Sequence, residues 1–124
     1  MTIKEVSEKY EISQDTLRYY ERVGMIPPVT RTASGIRDYQ ESDLGWVELA
    51  KCMRSAGLPV EAMIEYVQLT QEGDATIPAR LQLLKEQRES LLEQKEKINA
   101  TLACLNYKIG RYELAAETGV LTWE

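Results

Sequence analysis

The side chains best suited to binding an anion lie in the segment from Asp15 to Arg22. Ser13 is a favoured N-cap residue, and Gly24 readily adopts the left-handed conformation of a helix C-terminus, so the sequence predicts a short helix between them. One side of that helix carries four polar side chains, Asp15, Arg18, Tyr19 and Arg22. This face predicts a surface that contacts an anionic partner.

The thiol of Cys52 could do a different kind of chemistry, as a nucleophile. Its neighbours Lys51 and Arg54 would favour the thiolate, which is the nucleophilic form. Such a thiolate could add to formaldehyde, methylglyoxal or a quinone, or be oxidised. A single cysteine on an amphipathic helix is also commonly a small buried apolar residue. For Cys104 we expect a structural or incidental role.

Other kinds of chemistry are poorly represented. The chain has no histidine, and its two cysteines do not form a Cys-x-x-Cys pair, so we predict no metal site. We find no glycine-rich phosphate loop, nucleophile motif or paired-carboxylate site. The sequence therefore predicts no enzyme, no catalytic residue and no cofactor.

Length and charge limit the remaining possibilities. The chain of 124 residues is 44% hydrophobic, as expected for one compact domain with an extended appendage. It has no apolar run near twenty residues and no signal-like N-terminus, so we expect a cytoplasmic protein with reduced cysteines and no membrane contact. The net charge of -5 opposes nonspecific nucleic-acid binding, but phosphate attraction depends on local charge.

The first seventy or so residues read as a helix-turn-helix unit with a wing. A helix is predicted over Thr2–Tyr10, where Thr2 and Glu5 can form a capping box. The short link before Ser13 is typical of a helix-turn-helix, and Pro27-Pro28 ends the second helix. Residues 29–39 predict a small β wing with Ser34-Gly35 at its tip.

Two more helices are predicted before a break. The first covers Ser42–Ala56, and the second begins near Pro59 and runs to about Gln71. Gly73-Asp74 interrupts the helical pattern. We therefore assign residues 1–72 to one domain of the winged helix-turn-helix type.

Residues 76–117 predict one long helix with a heptad row of apolar side chains. The row includes Leu81, Leu84, Leu91, Ile98, Leu102, Leu105 and Ile109, and charged residues interrupt it at Arg88 and Lys95. A helix of about 40 residues, about 60 Å long, cannot bury this row alone. An antiparallel coiled coil in a two-fold homodimer is the simplest closed solution. Residues 118–124 form a tail that frays or folds back, with Trp123 as an anchor.

The predicted DNA contacts come from three places. The helix predicted between Ser13 and Gly24 would be the recognition helix, and it supplies a first set, Thr16, Arg18, Tyr19 and Arg22. The wing supplies a second set, Arg31, Gly35, Arg37 and Tyr39, and Arg54 with the helix start at 58–60 forms a further phosphate clamp. A solvated charged face is the alternative for any one pair of arginines.

The segments TLRYYERVGMIPP and SGIRDY resemble the MerR family of bacterial transcription regulators. Ile36 departs from the family pattern, in which an aromatic residue often precedes the wing arginine. The segments KCMRSAGLPVEAMIEY and EGD resemble the aldehyde- and thiol-stress-sensing branch, often called AdhR-like or NmlR-like. This resemblance favours Cys52 as a sensor, and we expect the chain to lack the appended ligand-binding domain of drug-sensing relatives.

The family resemblance implies a homodimer that binds a pseudo-palindromic spacer in double-stranded promoter DNA. On activation, the protein would distort this DNA so that RNA polymerase can use the promoter. Two alternatives stay open. A small ligand could bind noncovalently and replace the thiol chemistry, or the chain could be a coiled-coil adaptor whose head binds protein.

Overall fold

The computed structural model describes residues 1–123, and its architecture is mainly helical. Five α-helices follow in order: α1 Ile3–Tyr10, α2 Gln14–Val23, α3 Glu41–Ser55, α4 Val60–Gln71 and α5 Ile77–Thr118. A 3-10 turn, Asp74–Thr76, separates α4 from α5. Two compact units divide the chain, a first unit Met1–Gln87 and a second unit that begins at Arg88.

The predicted caps set the limits of α1 and α2. The Thr2 hydroxyl accepts a hydrogen bond from the Glu5 backbone N–H, and the Glu5 carboxylate accepts one from the Thr2 N–H, which completes the capping box. Ser13 caps α2 through the backbone N–H of Thr16 at 3.1 Å. Gly24 ends α2 with φ of 86°, as predicted for a left-handed C-cap.

The wing is a hairpin with little regular pairing. Arg31 and Arg37 form an isolated antiparallel bridge, and no longer strand is present among residues 1–123. The Thr32 backbone N–H donates to the Ile36 carbonyl at 2.8 Å, and the Gly35 N–H donates to the Thr32 carbonyl at 2.9 Å. The predicted tip at Ser34-Gly35 is confirmed, and Gly35 has the positive φ of 86° that this turn requires.

The core of the first unit lies where α1, α2, the wing base, α3 and α4 meet. Its most deeply buried side chains are Val6, Leu17, Met25, Ile26, Tyr39, Val47 and Met63. Helix α3 begins one residue before the predicted start, because the Gln40 backbone N–H donates to the Asp43 carboxylate at 2.9 Å. Pro59 is the N-cap of α4 and precedes its first turn.

The start of α5 is tied to the end of α4. The Thr76 hydroxyl donates to the Leu69 carbonyl at 2.6 Å, and the Arg80 guanidinium donates to the Gly73 carbonyl at 2.8 Å. Gly73 has φ of 98°, which explains the predicted break before α5. Within the described residues, Leu83 is the one buried side chain of α5.

The rest of α5 presents its heptad row to solvent. Exposed apolar residues of this row include Leu81, Leu84, Leu91, Ile98, Leu102, Leu105, Ile109 and Tyr112. Their burial would need a partner helix, because exposed contiguous apolar surface of this extent is unusual for a single soluble chain. None of the helices among residues 1–123 has the length and apolar content needed to cross a membrane.

The tail folds back on the second unit. Gly119 has φ of 78°, and the Arg111 guanidinium donates to the Thr122 carbonyl at 2.7 Å. The Trp123 ring contacts the Tyr112 ring edge-on with centroids 5.8 Å apart, and the Tyr107 hydroxyl donates to the Trp123 carbonyl. Trp123 thus packs where the sequence predicted an anchor, and the last tail residue, Glu124, lies outside the described residues.

Candidate nucleic-acid interface

The exposed face of α2 carries the predicted polar side chains. The Arg18 guanidinium donates to the Asp15 carboxylate at 3.1 Å and to the Gln14 side-chain oxygen at 3.3 Å, and the Arg18 side chain keeps 44% of its surface exposed. The Arg22 guanidinium lies 5.5 Å from the centre of the Tyr19 ring. Arg18, Tyr19 and Arg22 therefore form one exposed cationic and aromatic surface, with the buried Leu17 behind it.

Glu21 connects this helix to the wing. Its carboxylate accepts hydrogen bonds from Arg37 Nε at 2.7 Å and from the Val29 backbone N–H at 2.8 Å. The Arg31 guanidinium also reaches Glu21, at 3.5 Å. Burial by itself would raise the pKa of Glu21, but the hydrogen bonds from Arg37 and Val29 and the two arginine charges outweigh it and lower the pKa.

The two wing arginines differ in how strongly they are held. The Arg37 side chain is 23% exposed and makes the shorter contact with Glu21. The Arg31 side chain is 43% exposed, and it donates to the Gly35 carbonyl at 2.9 Å. Arg31 is therefore better placed to exchange its contacts for a phosphate group, whereas Arg37 mainly holds the wing against α2.

Asp43 provides a second attachment for the base of the wing. Its carboxylate accepts hydrogen bonds from the backbone N–H groups of Gln40 and of Thr30, the latter at 3.4 Å. Asp43 is the one buried charged side chain among the described residues, with 8% exposure. Carboxylates from α2 and α3 thus bind the consecutive N–H groups of Val29 and Thr30, where the chain enters the wing.

The predicted surface role of Tyr39 is wrong for this structure. Its side chain is 2% exposed, and burial raises the pKa of its hydroxyl. The cause is the backbone pairing with Met1: the Tyr39 N–H donates to the Met1 carbonyl at 2.8 Å, and the Met1 nitrogen donates to the Tyr39 carbonyl at 2.7 Å. This pairing directs the ring into the core.

Thr16 takes part in the N-cap of α2. Its backbone N–H donates to the Ser13 hydroxyl at 3.1 Å, and its own hydroxyl accepts from Ser13 at 2.8 Å. The N-cap therefore uses the Thr16 N–H, whereas the Thr16 hydroxyl still has a proton that it can donate to a phosphate oxygen. Gly35, by contrast, lies exposed at the wing tip, with no atom within 4 Å of the position a Cβ would take.

The third predicted site lies where α3 leads into α4. The Arg54 guanidinium donates to the Leu58 carbonyl, so the structure brings Arg54 to the turn that the sequence assigned to a phosphate clamp. Burial raises the pKa of the Tyr20 hydroxyl, and the positive charge of Arg54 opposes this rise.

Cys52 lies exposed in the last turn of α3. The Lys51 ammonium group donates to the Tyr10 carbonyl at the end of α1. Arg54 is bonded to Leu58. The two expected activating cations are therefore both bonded to backbone carbonyls. Among residues 1–123, no group of three or more possible ligands is placed to hold a metal ion.

The sequence reasoning missed Glu21 and Asp43. Each contacts a backbone N–H that is distant in sequence, 8 residues away for Glu21 and 13 residues away for Asp43. A signal was available for Glu21, because it is an acid next to Arg22 in the last turn of the helix, where a carboxylate is unfavourable without a cationic or N–H partner. Asp43 had only the signal of an N3 acid near a helix start.

Comparison with known proteins agrees with this architecture. Residues 1–70 match the MerR HTH family of regulatory proteins. The chain is 54% identical over 93 residues to the HTH-type transcriptional regulator AdhR from Bacillus subtilis, a match that covers 75% of this chain and 66% of AdhR.

Two crystal structures resemble the chain along nearly its whole length. A MerR family transcriptional regulator from Listeria monocytogenes is 43% identical with a TM-score of 0.91, and the match covers 96% of this chain and 90% of that one. HiNmlR, a MerR family regulator lacking the sensor domain and bound to promoter DNA, is 32% identical with a TM-score of 0.85, and the match covers 95% and 94% of the two chains. The chain belongs to the MerR family of helix-turn-helix transcriptional regulators.

Proposed function

We propose that this regulator acts as a homodimer that binds a pseudo-palindromic promoter spacer and distorts it so that RNA polymerase can initiate transcription. Residues 1–72 would bind DNA and residues 76–117 would join the two copies. The observation that carries this proposal is the exposed heptad row of α5 in a chain that also presents a cationic recognition helix and wing.

The dimer follows from the need to bury this row. Its apolar residues recur over most of a helix of 42 residues, from Leu81 to Tyr112. Burial of one leucine side chain contributes about 1.5–3 kcal/mol, so several pairs can offset the entropy cost of association. An antiparallel arrangement gives a closed two-fold dimer with one DNA-binding head at each end.

On DNA, we expect α2 to enter the major groove. Arg18 would contact a base edge or an adjacent phosphate, and Tyr19 and Arg22 would contact the sugar-phosphate backbone. Arg31, at the wing, and Arg54, near the start of α4, would contact flanking phosphates. Gly35 would allow the wing tip to approach the backbone closely, and the Thr16 hydroxyl would donate to a phosphate. Arg37 would hold the wing in place behind these contacts.

The signal would enter through Cys52, which lies exposed near the junction of α3 and α4. Its thiolate would attack the carbonyl carbon of a reactive aldehyde, forming a C–S bond. The carbonyl electron pair would move to oxygen, which takes a proton, so that a hemithioacetal forms without any change of oxidation state. The adduct would then repack the α3–α4 junction and alter the position of the head.

DNA binding can be tested with a fragment of the gene's own upstream region. We expect a tight complex whose affinity falls steeply between low and moderate salt, because arginines replace counterions on phosphate. Sedimentation of the free protein should show a dimer. A single-chain species, or an affinity that does not respond to salt, would contradict the proposal and favour the adaptor alternative.

The sensing step needs its own measurement. Treatment of the pure protein with formaldehyde or methylglyoxal should add the mass of one aldehyde per chain, and Cys52→Ser should abolish both the mass gain and the transcriptional response. Cys104→Ser is the matched control, since Cys104 is also an exposed free thiol. Activation without any adduct on Cys52 would instead favour a noncovalent small ligand.

A further inference from the structure

The folded tail presents an apolar surface. Val120 is 63% exposed, Leu121 is 41% exposed and Trp123 is 47% exposed. Hydrogen bonds from Tyr107 and Arg111 hold this segment in place, so these side chains are presented in a fixed arrangement. Ordered aromatic surface of this kind is common at the centre of protein interfaces.

The tail surface is continuous with the heptad row of α5. Tyr112 is the last member of that row, and its ring contacts Trp123. If two rows pair antiparallel over Ile77 to Tyr112, Tyr112 of one copy lies opposite Ile77 of the other. Trp123 then lies beside the first turn of α5 in the second copy.

The head carries an aromatic groove close to that first turn. It has a volume of about 270 Å³ and is lined by Ser42, Gly45, Trp46, Leu49 and Tyr66. The Trp46 and Tyr66 rings lie 5.8 Å apart at 58° and form one wall. Tyr66 precedes Leu69 by one turn of α4, and the Leu69 carbonyl binds Thr76 at the beginning of α5. The groove therefore opens near the end of the helix that a second copy would approach.

The charges around the two surfaces are complementary. Lys108 lies 5.2 Å from the centre of the Trp123 ring, and Arg111 is bonded to the same tail. On the head, Glu41, Glu48 and Lys9 line a cavity that shares Gly45 with the aromatic groove, and Glu65 is exposed beside Tyr66, so acids outnumber cations there by three to one. Cations on the tail and acids around the groove favour their mutual approach.

We propose that the tail of one copy, with Trp123 at its centre, docks in the groove between Trp46 and Tyr66 of a second copy. This inference rests on the proposed dimer and adds a second contact between its copies, from the tail of one to the DNA-binding head of the other. The contact restricts how each head can move about the start of α5.

Cross-linking of the full chain tests this contact. In a Cys52→Ser, Cys104→Ser background, Ser42→Cys places a thiol at the groove and Leu121→Cys places one on the tail. A short bismaleimide should convert the variant with both new cysteines into a covalent dimer. Each single-cysteine variant should remain monomeric on a denaturing gel, and so should the control that combines Lys4→Cys on α1 with Leu121→Cys.

Sedimentation of the same samples separates the two proposals. A sedimenting dimer that yields no covalent dimer would overturn the docking but leave the proposed function intact, as would a linker that joins both cysteines within one chain. A protein that sediments as a monomer would overturn both. Trp123→Ala should reduce the rate of cross-linking about tenfold or more, because a central tryptophan commonly dominates an interface. The heptad rows of α5 should still hold this variant together as a dimer.

Discussion

The first unit and the distal part of α5 use apolar residues in opposite ways. In the first unit, Val6, Leu17 and Val47 are fully buried within one chain. Along α5, Ile98 is 60% exposed and Leu102 is 49% exposed, although both belong to a regular heptad row. The first unit thus buries its apolar side chains within one chain, whereas the long helix leaves its apolar row exposed, and this is the surface that the proposed dimer would cover.

Polar contacts also differ between the two regions, in how far apart in sequence the bonded groups are. In the first unit, Glu21 and Asp43 bind backbone and side-chain groups far away in sequence, and so fix the wing relative to α2. In the second unit, the described side-chain contacts such as Arg111 to Thr122 span at most 16 residues and attach the tail to its own helix. Long-range contacts therefore fix the wing arginines of the first unit, whereas the contacts of the second unit are local to the end of α5.

The most damaging change should be a charge in the middle of the heptad row. Leu102→Asp removes a buried leucine from the heptad row of each copy and places two carboxylates in the proposed interface. The dissociation constant of the dimer should therefore rise about a thousandfold or more. Sedimentation at several concentrations measures it. Ala100→Asp, on the outward face of the same helix, is the matched control and should leave the dimer intact. An unchanged dimer in Leu102→Asp would show that this row is not the interface.

A smaller loss is expected from the recognition helix. Arg18→Ala should weaken binding to the upstream DNA by about 10- to 100-fold, because one arginine contact to a base edge contributes about 1–3 kcal/mol of discrimination. Fluorescence anisotropy with labelled DNA gives the affinity. Lys85→Ala removes an exposed cation from α5 and should have little effect. Equal losses for the two variants would mean that general charge, and not the α2 face, determines the affinity.

The attachment of the wing can be separated from its charge through Glu21. Glu21→Gln should reduce the free energy of unfolding by about 1–3 kcal/mol near neutral pH, since it weakens hydrogen bonds to a charged acceptor. The folded-state pKa of Glu21 lies below its ordinary value of 4.5, so its stabilisation is complete above that value and is lost as the pH falls through the folded-state pKa.

The difference between the wild type and Glu21→Gln should therefore disappear in acid. Urea unfolding at matched protein concentration measures it, and Glu89→Gln on the exposed face of α5 serves as the control. A difference that persists well below 4.5 would indicate that side-chain shape, and not the carboxylate charge, holds the wing.

The smallest effects should come from alanine substitutions at two glycines, one of which should lower the stability of the protein and the other raise it. Gly24 has φ of 86°, and an added Cβ would lie 3.9 Å from Ile64, which is an ordinary contact. Gly24→Ala should therefore lower the free energy of unfolding by about 1 kcal/mol through backbone strain alone. Gly110 lies inside α5 with open space around it, so Gly110→Ala should stabilise by about 0.5–1 kcal/mol. Thermal unfolding distinguishes the two signs. A stabilising Gly24→Ala would contradict the left-handed C-cap.

Local patterns predicted most of the elements. Thr2, Ser13 and Gly24 each carry a capping signal that acts within a few residues, and the structure confirms all three. The heptad row likewise predicted a long helix, because its period is a property of the helix itself. Predictions about individual surface roles were less reliable. Tyr39 is buried by a backbone pairing 38 residues away in sequence, a contact that no local pattern encodes.

The distinction between local patterns and long-range contacts also applies to the residues of the candidate site. Lys51 is next to Cys52 in the sequence, yet its ammonium group lies on the Tyr10 carbonyl, which is 41 residues away in sequence. Adjacent residues on a helix point in different directions, so Lys51 finds its hydrogen-bond partner on α1 and not on its own helix. Glu21 shows the reverse case: it stands next to Arg22 in the sequence, yet its carboxylate binds Arg37 of the wing, 16 residues away.

The sequence by itself determined the helices, their caps, the cationic face of α2 and the apolar row of α5, because periodicity and capping act over a few residues. Only the tertiary structure decided which cations remain exposed, how Glu21 and Asp43 hold the wing, and where the tail packs. Those outcomes depend on groups that are distant in the chain and meet only after the helices have packed.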